Sequence, residues 1–360
     1  MTQLAISSLS KAYGAFKVFD GLDLEANSGE IVVVFGGSGT GKTILLRLIA
    51  GVEEPTSGLI SIEGQDVTDV APEHRHVGMA FQNFALFPHM SAADNIATPL
   101  KASGAEASAV KRGVDKVAKL LKIDHVLGHA PRELSNGQKQ RTALARALAA
   151  EPRILLLDDP LRNVDAKLRF EMRLELPRLL RQSGATVLYV TQDYKEAMAL
   201  ADRIAVLAGG QFVQVAPPEK IYLEPVNLNV ARLFGDPSIN TVTSRIELKK
   251  DQPVALIGGV AVDINPRYAA LAGREVTFGV RPEAVSIVKG GKGLAAKVAA
   301  VTPLNERTVL LLSTSGGLEL LASLPSESPD IPNSGSDAHV AFADAGTHIF
   351  DVKTGERLYG

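Results

Sequence analysis

Short apolar runs rich in β-branched residues punctuate the first two thirds of the chain: IVVVF at 31–35, HVGMAF at 76–81, ILLLD at 154–158, TVLYVT at 186–191 and RIAVLA at 203–208. Runs that are apolar throughout, rather than alternating, predict strands covered on both faces, and the helix-like stretches between several of them predict a largely parallel sheet. From Asn83 to Pro152 the pattern turns helical, in AVKRGVDKVAKLLKI and NGQKQRTALARALAA, which predicts a helical subdomain over about residues 83–152. Beyond roughly Asp236 the alternation becomes strand-like, in EVTFGVRPEAVSI and THIFDVKTGERL, broken by clusters such as LPSESPDIPNSGSD. Two domains are expected, an α/β one over 1–235 and a β-rich one over 236–360.

Composition narrows the class. With 46% hydrophobic and 22% charged residues in 360, the chain matches ordinary globular usage and argues against disorder, collagen-like repeats or a disulfide scaffold. A formal charge of -2 offers no general field to nucleic acid or anionic lipid. Cysteine is absent, which removes disulfides, thiolate catalysis and cysteine metal sites, and fits a reducing compartment. The opening MTQLAISSLSKAYGAF lacks the pattern of a secretory signal. The apolar runs fall far short of the ~20 residues of a membrane helix, so the chain is not expected to cross a bilayer by itself.

The strand IVVVF runs directly into GGSGTGKT at 36–43 and then into the helix-favouring ILLRLIAG. This is G-x-x-x-x-G-K-[ST] in the strand–loop–helix context that gives it meaning, and it defines an α/β P-loop NTPase. Gly36, Gly37, Ser38, Gly39, Thr40 and Gly41 would close backbone amides around phosphates at a helix N-terminus. Lys42 would reach the outer phosphates, and the Thr43 hydroxyl would ligate Mg2+. Asp158, ending the apolar strand ILLLD, is expensive to bury without a cation, and Mg2+ is the expected partner beside a P-loop. Taken alone, such an Asp is more often a strand-end cap than a metal ligand; the preceding P-loop favours the ligand.

LSNGQ at 134–138 resembles the signature peptide of ABC-type ATPases; as a bare pentapeptide it is a helix N-terminus with Ser135 as cap. The resemblance implies an ATP-binding domain with a helical subdomain, whose Ser135, Gly137 and Gln138 close over ATP held by a second subunit. It further implies that Tyr13, in KAYG, lies against adenine, and that Gln82, ending VGMAFQ, senses Mg2+ and links the site to a permease. NFALFPHM resembles the surface that receives a permease's cytoplasmic helix. GVRPEAVSI, VTPLNERT and FDVKTGERL resemble the C-terminal all-β, OB-like regulatory domain of the maltose-importer ATPase family. Together these imply an ATPase of a carbohydrate-type importer for a sugar, polyol, glycerol or glycerol phosphate. Its expected partners are two permease subunits, a second ATP-binding subunit and an extracytoplasmic solute-binding protein, and its expected place is peripheral, at the cytoplasmic face of the inner membrane. A non-transport ABC ATPase acting on nucleic acid or ribosomes is the alternative class. Against it stand a single P-loop, no long heptad segment, and no basic stripe or closely spaced aromatics in the C-terminal region.

The chain departs from the family at its catalytic positions. The family's active-site glutamate is Asp159 here, in LLLDDP, one methylene shorter. A misplacement of ~1 Å in a positioned step costs on the order of a hundredfold. Gln192, in TQDYKEAM, stands where the family has histidine; its amide donates and accepts hydrogen bonds but carries no proton chemistry. Arg162, in LRNVD, replaces a small serine before Asp165, in a loop that the family sends to the other subunit. Three readings remain open on sequence: a degenerate site whose signature serves a competent partner, a homodimer of two slow sites, and a non-catalytic regulator.

Overall fold

The computed structural model describes residues 1–288 and 293–359, and the chain divides into two compact units, Met1–Pro218 and Glu219–Gly360. The first unit opens with a long hairpin, β1 (Thr2–Tyr13) and β2 (Phe16–Asn27), which buries Leu4, Ile6, Leu9, Leu22 and Leu24. Next come β3 (Ile31–Phe35), buried at every position, and α1 (Lys42–Ala50). β4 (Ser57–Ile62) and the two-residue β5 (Gln65–Asp66) join the hairpin in an antiparallel sheet ordered β2-β1-β4-β5.

The second sheet of this unit carries the expected strands. β6 (Val77–Ala80), β7 (Ile154–Asp158), β8 (Thr186–Thr191) and β9 (Arg203–Ala208) run parallel with β3, and β10 (Gln211–Ala216) turns back on β9, giving the order β10-β9-β3-β8-β7-β6. α2 (Ala92–Ala102), α3 (Ala107–Leu120) and α4 (Asn136–Leu148) lie between β6 and β7, in the segment whose periodicity is helical. α5 (Ala166–Ser183) follows β7, and α6 (Tyr194–Leu200) follows β8.

One apolar cluster joins Leu45, Leu48 and Ile49 of α1 to Val32 and Val34 of β3, Leu156 of β7, Leu188 of β8 and the hairpin leucines. Each fully buried side chain of this size contributes about 1.5–3 kcal/mol, so β3 and α1 form a rigid frame for the loop between them. Phe35 pairs with Thr191 and Asp158 with Val190, which brings the C-terminal ends of β3, β7 and β8 side by side. In open α/β sheets that edge is where ligands bind. No helix among the described residues is long and apolar enough to cross a membrane.

The second unit begins with two short helices, α7 (Pro218–Leu223) and α8 (Leu228–Leu233). All-β structure follows: β11 (Asn240–Lys249), β12 (Gln252–Ile257), β13 (Val260–Asp263), β14 (Glu275–Val280), β15 (Val285–Val288), β16 (Leu294–Leu304), β17 (Arg307–Thr314), β18 (Glu319–Pro325), β19 (Asp337–Phe342) and β20 (Thr347–Asp351). Two antiparallel sheets result, β13-β12-β11-β14-β20 and β15-β19-β16-β17-β18, sharing a core that includes Ile246, Phe278, Val298, Leu310 and Val340. The units divide at 218/219, ahead of the 235/236 join expected from the alternation. The physical reason is Arg281, fully buried within GVRPEAVSI: it donates to the carbonyls of Tyr222 (2.9 Å), Ala231 (2.9 Å) and Phe234, tying both short helices to the β-rich unit.

Candidate functional site

The loop from β3 to α1 owes its shape to glycine. Gly41 adopts φ +96°, and a Cβ there would lie 2.7 Å from Phe19 and from Val18. A Cβ on Gly36 would lie 2.7 Å from the Leu207 carbonyl oxygen. Since glycine occupies the N-cap of α1, no side chain there takes up the first-turn amides, which remain available to an anion. Lys42 Nζ donates to Gly36 O (2.9 Å) and Gly37 O (2.6 Å), and Thr40 Oγ1 donates to Gly37 O (3.0 Å). Burial pulls the Lys42 ammonium below the ordinary lysine range, against the attraction of Asp159 and Asp158.

A cavity of about 300 Å³ opens beside this loop. It is lined by Ser38, Gly39, Gly41, Lys42 and Thr43 from the loop and α1, by Asp158, Asp159 and Gln192 from the strand ends, and by Gln82, Tyr13 and Phe16. Thr43 Oγ1 lies 2.9 and 3.0 Å from the two Asp158 carboxylate oxygens and donates to them, so two hard oxygen donors meet at one point. Burial raises the Asp158 pKa despite that bond, the mark of a carboxylate that a cation would stabilise. The Gln82 carbonyl accepts from Asn163 Nδ2 (2.9 Å), which ties the turn after β6 to the 161–165 loop.

Asp159 is held in an uncommon backbone conformation, φ +41°, with its N–H donating to Val190 O (2.9 Å). Burial raises its pKa, and the Arg162 guanidinium, 3.8 Å from Oδ2, works against the rise. Thr191 Oγ1 lies 3.5 Å from Asp159 Oδ1 but 2.9 Å from Oε2 of buried Glu196, so its single proton serves the glutamate, as does that of Tyr189 Oη (2.8 Å). Burial pushes Glu196 up to about 7.

Ser135, Gly137 and Gln138 do not line this cavity. They open α4 in a reciprocal cap, Gln138 N donating to Ser135 Oγ (3.3 Å) and Ser135 N to Gln138 Oε1 (2.9 Å), with Ser135 exposed. In NFALFPHM, Phe87 is exposed, and Arg146 holds the loop from beneath through Ala85 O (2.7 Å) and Phe84 O (3.2 Å).

Sequence reasoning missed Phe16, Glu196 and the place of Arg162 in the cavity wall. Phe16 carries a legible signal: in KAYGAFK a two-residue turn puts it directly opposite Tyr13, and both rings are exposed, at 69% and 48%. Such a pair offers flat apolar faces at the cavity rim.

Fold and loop together define a P-loop nucleotide-binding protein: a parallel sheet presents a glycine loop, a half-buried lysine and a Thr–Asp pair at its C-terminal edge. Comparison with known proteins narrows this. Residues 19–162 match the ABC transporter family and residues 278–350 the TOBE domain. The chain is 40% identical over 359 residues to "sn-glycerol-3-phosphate import ATP-binding protein UgpC 2" of Agrobacterium fabrum, covering 99% of this chain and 95% of that protein. It is 37% identical over 364 residues to that organism's "Sulfoquinovosyl glycerol transport ATP-binding protein SmoE", covering both in full. It is 38% identical over 359 residues to "sn-glycerol-3-phosphate import ATP-binding protein UgpC" of Escherichia coli (strain K12), covering 99% of this chain and all of that protein. The chain belongs to the family of ATP-binding subunits of ABC importers, and its first unit is an ATP-binding ATPase domain.

Proposed function

We propose that the chain energises an importer for glycerol phosphate or a related carbohydrate-like solute, and that it works beside a second, catalytically competent ATPase subunit. The observation that carries the solute class is end-to-end likeness to importer subunits whose names specify glycerol-based cargo. The partners are two permease subunits, met through NFALFPHM at 83–90, and an extracytoplasmic solute-binding protein. The chain sits on the cytoplasmic face of the membrane.

Within the site, the loop amides and Lys42 bind the phosphates while Tyr13 and Phe16 hold the adenine ring. Thr43, Asp158 and Gln82 would hold Mg2+, which neutralises phosphate charge when bound. Among the described residues no group of three His, Cys, Asp or Glu could hold a metal ion, so the remaining ligands would be phosphate oxygens and water. Asp159 and Gln192 act weakly on the attacking water, because the carboxylate is one methylene short of a glutamate's reach and the amide carries no proton chemistry. Ser135, exposed ahead of α4, and Gly137 and Gln138 in its first turn complete the partner's site rather than their own.

The test is co-expression with candidate permease subunits and a second ATPase, followed by purification from detergent-solubilised membranes. The proposal expects a stable complex containing both ATPases. Recovery with permeases but with two copies of this chain alone sinks the pairing and leaves a homodimer; failure to travel with any membrane subunit sinks the importer role.

A further inference from the structure

Two of the departures from the family pattern meet in space. Arg162 follows Asp159 by one turn, its N–H donating to Asp159 O (3.2 Å), and its own carbonyl accepts from Arg169 (3.3 Å). The Arg169 guanidinium also holds Val164 O (3.0 Å), so the backbone beneath Arg162 is anchored on both sides. The side chain, by contrast, is 48% exposed and lines the cavity with Lys42, Asp159 and Gln192. Its 3.8 Å contact with Asp159 Oδ2 is an ion pair beyond hydrogen-bond length, which leaves the planar fork of donors able to take a better acceptor. The neighbouring Gln192 is uncharged, so Lys42 and Arg162 are the cations that this cavity presents.

We propose that Arg162 is a terminal-phosphate ligand of this site, a second cation supplied in cis that recognises the end of the triphosphate, where Gln192 offers only an amide. A guanidinium suits that contact because its fork matches two phosphate oxygens at once. Moving towards phosphate, Arg162 also releases Asp159, so nucleotide binding and the state of the Asp159 carboxylate are linked. The inference rests on the nucleotide reading of the site and names a residue which that reading does not require.

The experiment is calorimetric titration of the full chain with ATP and with ADP, each with Mg2+ and with EDTA, for wild type, Arg162→Ser and Arg162→Lys. Loss of one charge-assisted contact is expected to weaken ATP about tenfold in Arg162→Ser, with ADP changed less than about twofold. Arg162→Lys should recover only part of the ATP affinity, because an ammonium is a point charge. Equal losses for ATP and ADP, or no loss, overturn the proposal while wild-type binding leaves the nucleotide site standing. A wild type that binds neither nucleotide overturns both. Melting curves of the variants check that an exposed loop substitution leaves the fold intact.

Discussion

Glu196 provides a test of the physics behind the catalytic edge. Its carboxyl is buried beneath the strand ends, accepting from Tyr189 Oη and Thr191 Oγ1, and burial lifts its pKa from 4.5 to about 7. Between those values the native state keeps a proton that the unfolded chain has released. Stability therefore falls as pH rises through this window, and the full loss stands above about pH 7. At about 1.36 kcal/mol per pH unit the loss is about 3 kcal/mol. Glu196→Gln keeps an oxygen for both hydroxyls and cannot ionise. The variant should match wild type near pH 4.5 and exceed it by about 3 kcal/mol near pH 8, a Tm gain of roughly 6–12 °C for a unit of this size. Differential scanning calorimetry at the two pH values reads this directly. A pH-independent difference, or a variant less stable than wild type at pH 8, would mean that buried Glu196 keeps no extra proton in this window.

Two further outcomes follow from named contacts. Phe16→Ala should weaken ATP and ADP alike by roughly fivefold in calorimetric titration, since a lost ring face worth about 1 kcal/mol does not distinguish the phosphates. Arg281→Met should destabilise the β-rich unit by several kcal/mol, on the order of 1 kcal/mol for each of three charged hydrogen bonds removed, with Arg281→Lys a poor rescue, read as faster hydrogen exchange in β14 and β20.

What the sequence made legible follows from how local each signal is. IVVVF, ILLLD and TVLYVT read as strands because every position is buried, and an apolar run at that length has few other uses. GGSGTGKT was readable because its glycines answer to the loop's own backbone, as φ +96° at Gly41 shows. The opening hairpin escaped notice because register shifts between Ile6 and Leu9, and again near Lys11, break its alternation. The join between units was hidden because the donor that gathers α7 and α8 is Arg281, distant in the chain. Pairing of Arg162 with Asp159 goes with a positive φ at Asp159 that no residue pattern announces.

In the proposed function this site holds ATP but hydrolyses it poorly because of Asp159 and Gln192. The most direct measurement is ATP turnover of the chain assembled with its permeases, for wild type against Asp159→Glu combined with Gln192→His. Slow wild-type turnover is expected, raised at least about tenfold by the double substitution. Robust, solute-stimulated turnover by the wild-type chain alone, with no gain from the substitutions, would contradict it.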